Sequence, residues 1–297
     1  MSPAENLHPS AGAARTILVG TDFSKSAENA IARAIRIAKD AGATLHVVHA
    51  SSRLPRALAK ALGLSSAALA GRRDDDAGAV ALERPRARAI AEGVAARGHH
   101  VAGAATSVLR AKARELAADL IVVGARGRSV PDTFVGSTAE RIAGSVRVPV
   151  LLVRTAPPRT YQEVVIAADA STHLEKAVAA AALVAPGRPF SVVHAYEGTF
   201  ESTLRLQGAS EANIRSYRRE CRREAQAAMA ARLADAGVDA RALVLRHGDP
   251  RRVLRREQGI GRVLLVIERG RSMIAHGLMG SITRSVVEHG VADILIV

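Results

Sequence analysis

Tryptophan is absent from this chain, and four Phe and three Tyr make up only 2% of it. Any core must therefore be packed with Ala, Val, Leu and Ile, which suits helices laid on an aliphatic parallel sheet. The single cysteine, Cys221, excludes an internal disulfide and any multi-cysteine metal site. It sits in the charged run RRECRREAQ and reads as a plain helix residue. No stretch approaches the roughly 18 consecutive apolar residues of a membrane span. Residues 1–15 lack the apolar centre of a secretory signal. A soluble, cytoplasmic protein with no membrane contact is expected. Without a Gly-Lys-Ser/Thr sequence there is no Walker loop. Gly259-Ile-Gly261 precedes a strand, the wrong context for a dinucleotide fingerprint. No histidine has a helical i, i+4 histidine partner, so no metal site is expected. His8, His99 and His100 read as loop residues, and His46 and His194 as strand residues.

What is present begins with length and charge. At 297 residues, 48% of them hydrophobic, the chain suits two domains with a real core in each. Lys and Arg number 42 against 28 Asp and Glu, a net charge of +14. The arginines are spread along helical runs such as 215–223 and 251–256, with no interleaved aromatics on which bases would stack. They read as a solvated face, and nucleic-acid binding is not expected.

An internal repeat organises the rest. GSTAERIAGSVRVPVLLV (136–153) and GSITRSVVEHGVADILIV (280–297) register without a gap. Upstream, TILVGTDFS (16–24) answers VVIAADAS (164–171), and TLHVVHA (44–50) answers FSVVHAY (190–196). DLIVVGARG (119–127) likewise answers RVLLVIERG (262–270). Two prolines in TAPPRT mark the boundary. The division is a flexible segment 1–14, a domain 15–154, a linker 155–160 and a degenerate second domain 161–297.

Each repeat reads as strands alternating with helices. Ile17–Val19 predicts a first strand. Ala27, Ala30, Ile31, Ala34, Ile35 and Ala38 share one face of a helix closed by Gly42. Leu45–Val48 is the second strand, and residues 52–80 are a long connection with the acidic turn Asp74–Asp76. Further strands fall around Val101–Ala105, Leu120–Val123 and Val150–Val153. In the second repeat, Thr172 and Glu175 have capping-box spacing. The fold class is α/β: two tandem doubly wound domains, each a five-stranded parallel sheet with helices on both faces. Ligands of such sheets bind at the carboxyl ends of the strands, where strand order reverses. The terminal strands 150–153 and 294–297 are candidates for pairing the two halves.

The segment 124–138 carries the most chemistry. Gly124 ends an aliphatic strand and Gly127 follows it, which brings bare N–H groups up to an anion. Gly136, Ser137 and Thr138 open a helix whose free amides and dipole favour phosphate. Arg126 and Arg128 add positive charge.

The strand-end Thr21-Asp22-Phe23-Ser24, the strand-end His49-Ala50 and this Gly-x2-Gly…Gly-Ser loop together resemble the universal stress protein family, over the whole chain as two copies. The resemblance implies an adenine-nucleotide α-hydrolase-like fold. It places Asp22 and Ala50 at the adenine end of a site, with Gly124, Gly127, Gly136 and Ser137 around the phosphates. Asp22 reads equally as an Asx turn or helix cap. His49 reads as a cap or packing residue at its strand end. A second site would use Asp169, Ala195, Gly270, Gly280 and Ser281. Two departures stand out. Eight residues separate Gly127 from Gly136 where the family has nine, and the entry to the third helix around Ser107–Leu109 looks shortened, without the Gly248-Asp249-Pro250 of the second repeat. In the second repeat, Ile267 replaces the first glycine, where a β-branched side chain resists positive φ. Glu268 follows it and would repel phosphate unless Arg269 or Arg271 offsets it.

The function these residues imply is binding of an adenine nucleotide, ATP with or without Mg²⁺, in the first domain of a stress-response or signalling module. The second domain is expected to be largely architectural. A scaffold without nucleotide, or a weak ATPase or self-phosphorylating protein, is the alternative. No nucleophile–base–orienter set is visible, so no catalytic residue is assigned. The expected partners are the nucleotide and proteins the sequence does not identify. A pseudo-dimer within the chain is expected, and a homodimer of chains is also compatible.

Overall fold

A computed structural model describes residues 15–51, 72–125, 137–154, 160–258, 262–269 and 280–297. The segment 1–14, most of the 52–80 connection, the linker 155–159 and Gly259-Ile-Gly261 lie outside the described residues.

Strands β1 (Thr16–Thr21), β2 (Thr44–Ser51), β3 (Ala96–Ala102), β4 (Leu120–Gly124) and β5 (Val150–Val153) form one half of the sheet. Strands β6 (Glu163–Ala167), β7 (Phe190–Tyr196), β8 (Leu243–His247), β9 (Val263–Ile267) and β10 (Asp293–Ile296) form the other. Within each half all pairs are parallel. The halves join through β5 and β10, which pair antiparallel with Leu151 opposite Leu295. The result is one ten-stranded sheet in the order β3-β2-β1-β4-β5-β10-β9-β6-β7-β8. Pairing these two aliphatic strands removes two edges that would otherwise be exposed.

Alternation along the strands feeds two cores. Helices α1 (Lys25–Ala41), α2 (Arg72–Ala91), α5 (Leu174–Val184) and α7 (Glu211–Asp235) pack on one face with Ile17, Val19, Val122, Val164 and Val266. Helices α3 (Ala105–Glu115), α4 (Ser137–Ser145), α8 (Pro250–Arg256) and α9 (Ser281–His289) cover the other with Leu18, Ile121, Val165 and Leu265. A short helix, α6 (Glu201–Leu206), precedes α7. Each core runs through both halves, so the join is a buried seam. Among the described residues, no helix is long and apolar enough to cross a membrane.

Several sequence expectations need correction. The third strand lies at Ala96–Ala102, earlier than 101–105, so His99 and His100 are strand residues and not loop residues. They were obscured because β3 is a polar edge strand with no aliphatic run. His46 Nδ1 and His99 Nε2 are 2.9 Å apart. Burial first, and then nearby positive charge, lowers the pKa of both rings. Asp74–Asp76 lie in the first turns of α2 rather than in a loop.

The entry to α3 is not shortened. Gly103 takes φ 148° and donates to Ser51 O, as Gly248 takes φ 127° and donates to Tyr196 O. What the first half lacks is the cap. Asp249 accepts the Arg252 N–H, whereas Ala104, at the similar φ −66° and ψ 131°, caps nothing with its side chain. Ala104→Asp is therefore expected to stabilise the protein by about 1 kcal/mol, read as a higher urea midpoint at unchanged m-value.

Candidate functional site

Chain order reverses in the first half between β1 and β4, and in the second between β6 and β9. These switch points are where a doubly wound sheet leaves a crevice at its strand ends. Beyond β1, three local hydrogen bonds build the turn into α1. Phe23 N–H donates to Thr21 Oγ1 at 3.0 Å, and Ser24 N–H to Asp22 Oδ1 at 3.0 Å. Ala27 N–H donates to Ser24 Oγ at 3.2 Å, capping the helix. Asp22 thus makes an Asx turn. Phe23 is held at φ 60° with its ring 4.5 Å from that of His49. His49 Nδ1 lies 2.9 Å from Thr21 O, tying the end of β2 to the end of β1 beside Ala50.

Gly124 ends β4, but not in the left-handed region. Its need is space. A Cβ there would stand 2.6 Å from Ser26 Oγ and 2.8 Å from the Ser26 backbone. The missing side chain lets the first turn of α1 lie against the strand end. Arg126, Gly127, Arg128 and Gly136 lie outside the described residues. Ser137 begins α4, and Thr138 is half-buried in its first turn.

The second half repeats the strand-end apparatus. Asp169 Oδ1 accepts from Ser171 N–H and Ser171 Oγ, each at 2.7 Å, and from Thr172 Oγ1 at 3.2 Å. Partial burial pulls the Asp169 pKa up, but these hydrogen bonds and His194 outweigh it, and the net shift is downward. His194 Nδ1 lies 2.9 Å from Ala168 O, as His49 does from Thr21 O. Around this turn is a cavity of about 330 Å³ whose lining includes Asp169, Ala195, Glu268, Gly280 and Ser281. Four of the five residues expected at a second site therefore meet at one cavity, and Gly270 lies outside the described residues. The crossing expected to be architectural has room in it.

Differences between the halves have a common origin. Ile267 stands where Gly124 admits Ser26, and it is buried. Helix α5 accordingly starts at Leu174, with His173 as its uncapped N-cap, and Thr172 bonds Asp169 instead of forming a capping box. The vacated helix start is occupied by Glu268. His173 Nδ1 lies 2.7 Å from Glu268 Oε1, and His173 N–H donates to Oε2 at 3.3 Å. This histidine–carboxylate pair, far apart in sequence, carries no motif and was not foreseen. Among the described residues, no hydroxyl hydrogen-bonds the ring of His173. Nor do His, Cys, Asp and Glu gather as a metal-holding group of three or more among the described residues.

Arg269 does not offset Glu268. Its Nε donates to Ala143 O and its Nη2 to Val148 O, both at 2.6 Å, across the seam in the first half. Burial lowers its pKa to about 10. Arg271 lies outside the described residues.

The family model described as the universal stress protein family matches residues 13–154 and again 160–297. No curated protein matches the chain. Among solved structures, a universal stress protein from Archaeoglobus fulgidus DSM 4304 is 16% identical with a TM-score of 0.65, covering 95% of this chain and 97% of its own. A functionally unknown protein from Pseudomonas aeruginosa PAO1 is 17% identical with a TM-score of 0.62, covering 96% of this chain and 92% of its own. At these identities the likeness is one of fold.

Proposed function

The chain belongs to the universal stress protein family, and from that premise we propose that it is an adenine-nucleotide-binding module that responds to ligand without catalysing a reaction. Two domains, 15–154 and 161–297, meet at the linker 155–160. ATP binds the first, with Asp22 and Ala50 toward the base and Gly124, Arg126, Gly127, Gly136, Ser137 and Thr138 toward the phosphates. The observation that carries this reading is the first switch point itself, where the Asp22 turn and the tie from His49 to Thr21 O hold the ends of β1 and β2 together beside Ala50. The same Asx turn and histidine tie frame the cavity at the second switch point.

A hydrolase would need a positioned water, a base and usually Mg²⁺. Among the described residues, the His173–Glu268 pair beside the second cavity meets no nucleophile, which favours binding over chemistry. Asp22 is spent at least in part on its own turn, so its replacement tests position as well as contact.

Thermal melts with added nucleotide test the proposal. ATP at a hundredfold above Kd is expected to stabilise the protein by about 2.7 kcal/mol, and Gly127→Glu is expected to abolish the shift. Melts unmoved by ATP, ADP and AMP would remove the reading.

A further inference from the structure

Arginines that are scattered along the sequence are gathered by the fold onto one layer of helices. Arg110 and Arg114 lie on α3, Arg141 on α4, and Arg252, Arg255 and Arg256 on α8. Each is exposed, and none makes an ion pair among the described residues. Helical periodicity sets their direction. Val108, Leu109 and Ala113 bury against the sheet, as do Ile142, Ala143, Val253 and Leu254, which turns the arginines between them to solvent. Helix α8 contains no acid. Few carboxylates remain elsewhere to neutralise the group, because the segments outside the described residues contain only Glu5 and Asp132 as acids.

On the opposite layer the arginines sit among acids. Arg84 lies by Glu28, Arg86 by Glu83, Arg88 by Glu92 and Arg223 by Glu220. Arg215, Arg219 and Arg222 of α7 are exposed without an ion pair among the described residues, but Glu220 and Glu224 interrupt them along the helix.

The arginine layer is continuous across the seam. Helix α3 packs on α4 and α8 on α9, and Arg284 of α9 stands 3.7 Å from Glu140 of α4. Because β5 and β10 pair antiparallel at the centre of a mirrored strand order, an approximate two-fold relates the halves. Val108-Leu109-Arg110 answers Val253-Leu254-Arg255 in the repeat, so α3 and α8 present Arg110 and Arg255 symmetrically about the seam. A nucleic-acid duplex has the complementary charge and the matching symmetry, since its two phosphate strands run antiparallel. The forked guanidinium suits phosphate oxygens better than a point charge does. The four helices carry no aromatic residue, which excludes stacking on single strands and leaves the backbone as the contact. Ile282, 36% exposed, is their one exposed large apolar side chain among the described residues, too little to insert into a bilayer.

We propose that the layer of α3, α4, α8 and α9 docks on the phosphate backbone of double-stranded nucleic acid without reading its sequence. The arginines named lie outside the lining of the second cavity, and the surface does not depend on nucleotide binding at either switch point.

Fluorescence anisotropy tests this with the full chain and two labelled DNA duplexes of equal length and unrelated sequence. Both are expected to bind within about threefold of each other. Affinity is expected to fall at least about hundredfold between roughly 50 and 200 mM salt, as roughly four phosphate contacts require. The variant Arg110→Gln, Arg252→Gln, Arg255→Gln is expected to bind at least about tenfold more weakly at the lower salt, with a salt slope reduced by about 1 per arginine. The variant Arg215→Gln, Arg219→Gln, Arg222→Gln removes the same charge from the other layer and is expected to stay within about threefold of the wild type. Melts at the wild-type temperature show that both variants fold. The proposal is overturned if the wild type binds neither duplex at the lower salt, or if the two variants lose affinity equally, which would reduce binding to net charge. A preference of more than about tenfold for one sequence would equally overturn it. So would tighter binding of polyglutamate or of phosphatidylglycerol vesicles than of the duplexes, which would give the surface to an acidic protein or a membrane.

Discussion

Asp293→Ala is expected to destabilise the folded chain by about 3–5 kcal/mol, the cost of breaking a buried ion pair by removing one partner. Asp293 opens β10 at the seam and is 1% exposed. Its Oδ2 accepts the Tyr161 hydroxyl at 2.7 Å and lies 3.4 Å from Arg33 Nη2, and its Oδ1 accepts the Arg154 N–H at 2.8 Å. Arg33, on α1 of the first half, is 2% exposed and lies 4.2 Å over the Tyr161 ring. The Arg154 guanidinium donates to Val287 O beside them. Burial, and then the Asp293 charge, pushes the Tyr161 pKa well above its usual value, so the phenol stays protonated as a donor. Losing the carboxylate takes an acceptor from a buried guanidinium and a buried hydroxyl together. Urea denaturation reads the effect directly. A loss below about 1 kcal/mol, the size of an exposed pair, would show that the seam does not depend on this network.

Gly124→Val is expected to cost about 1–3 kcal/mol through overpacking, in the absence of any nucleotide. Backbone atoms of Ser26 stand 2.8 Å from where the new Cβ would lie, so the neighbour that must move is chain and not a flexible tip. The second half shows the outcome of carrying a β-branched residue there, since α5 begins two residues later in its repeat than α1 does. Amide exchange is expected to show the first turn of α1 opening in the variant. A glycine kept only for the ligand would leave the urea midpoint unchanged and lose nucleotide affinity alone.

The sheet was legible because parallel strands buried on both faces are nearly continuous aliphatic runs. TILV, LIVV and VLLV announced β1, β4 and β5, and the repeat announced their counterparts. Even the β5–β10 seam could be anticipated, since two short apolar strands end the two copies. The edge strand β3 was displaced because Ala-Arg-Gly-His-His carries no such run. Thr172 and Glu175 had the spacing of a capping box, but spacing does not say where a helix is allowed to begin, and Ile267 decides that from another strand. Of the second cavity's lining, the sequence indicated Asp169, Ala195, Gly280 and Ser281. It missed the pairing of His173 with Glu268, which depends on how a recessed helix start meets a strand end. The direction of Arg269 was equally hidden, because its carbonyl partners lie in the other half. Gly124 was noted for its freedom of φ, whereas the fold uses its lack of a side chain.

The central claim is that strand ends at a switch point of this chain hold an adenine nucleotide. Mass spectrometry of the small molecules released when the freshly purified protein is denatured tests it most directly. The account predicts an adenine nucleotide in stoichiometric proportion to the wild-type chain and its absence from Gly127→Glu. Protein that releases none, and takes up none when incubated with ATP before repurification, would contradict it.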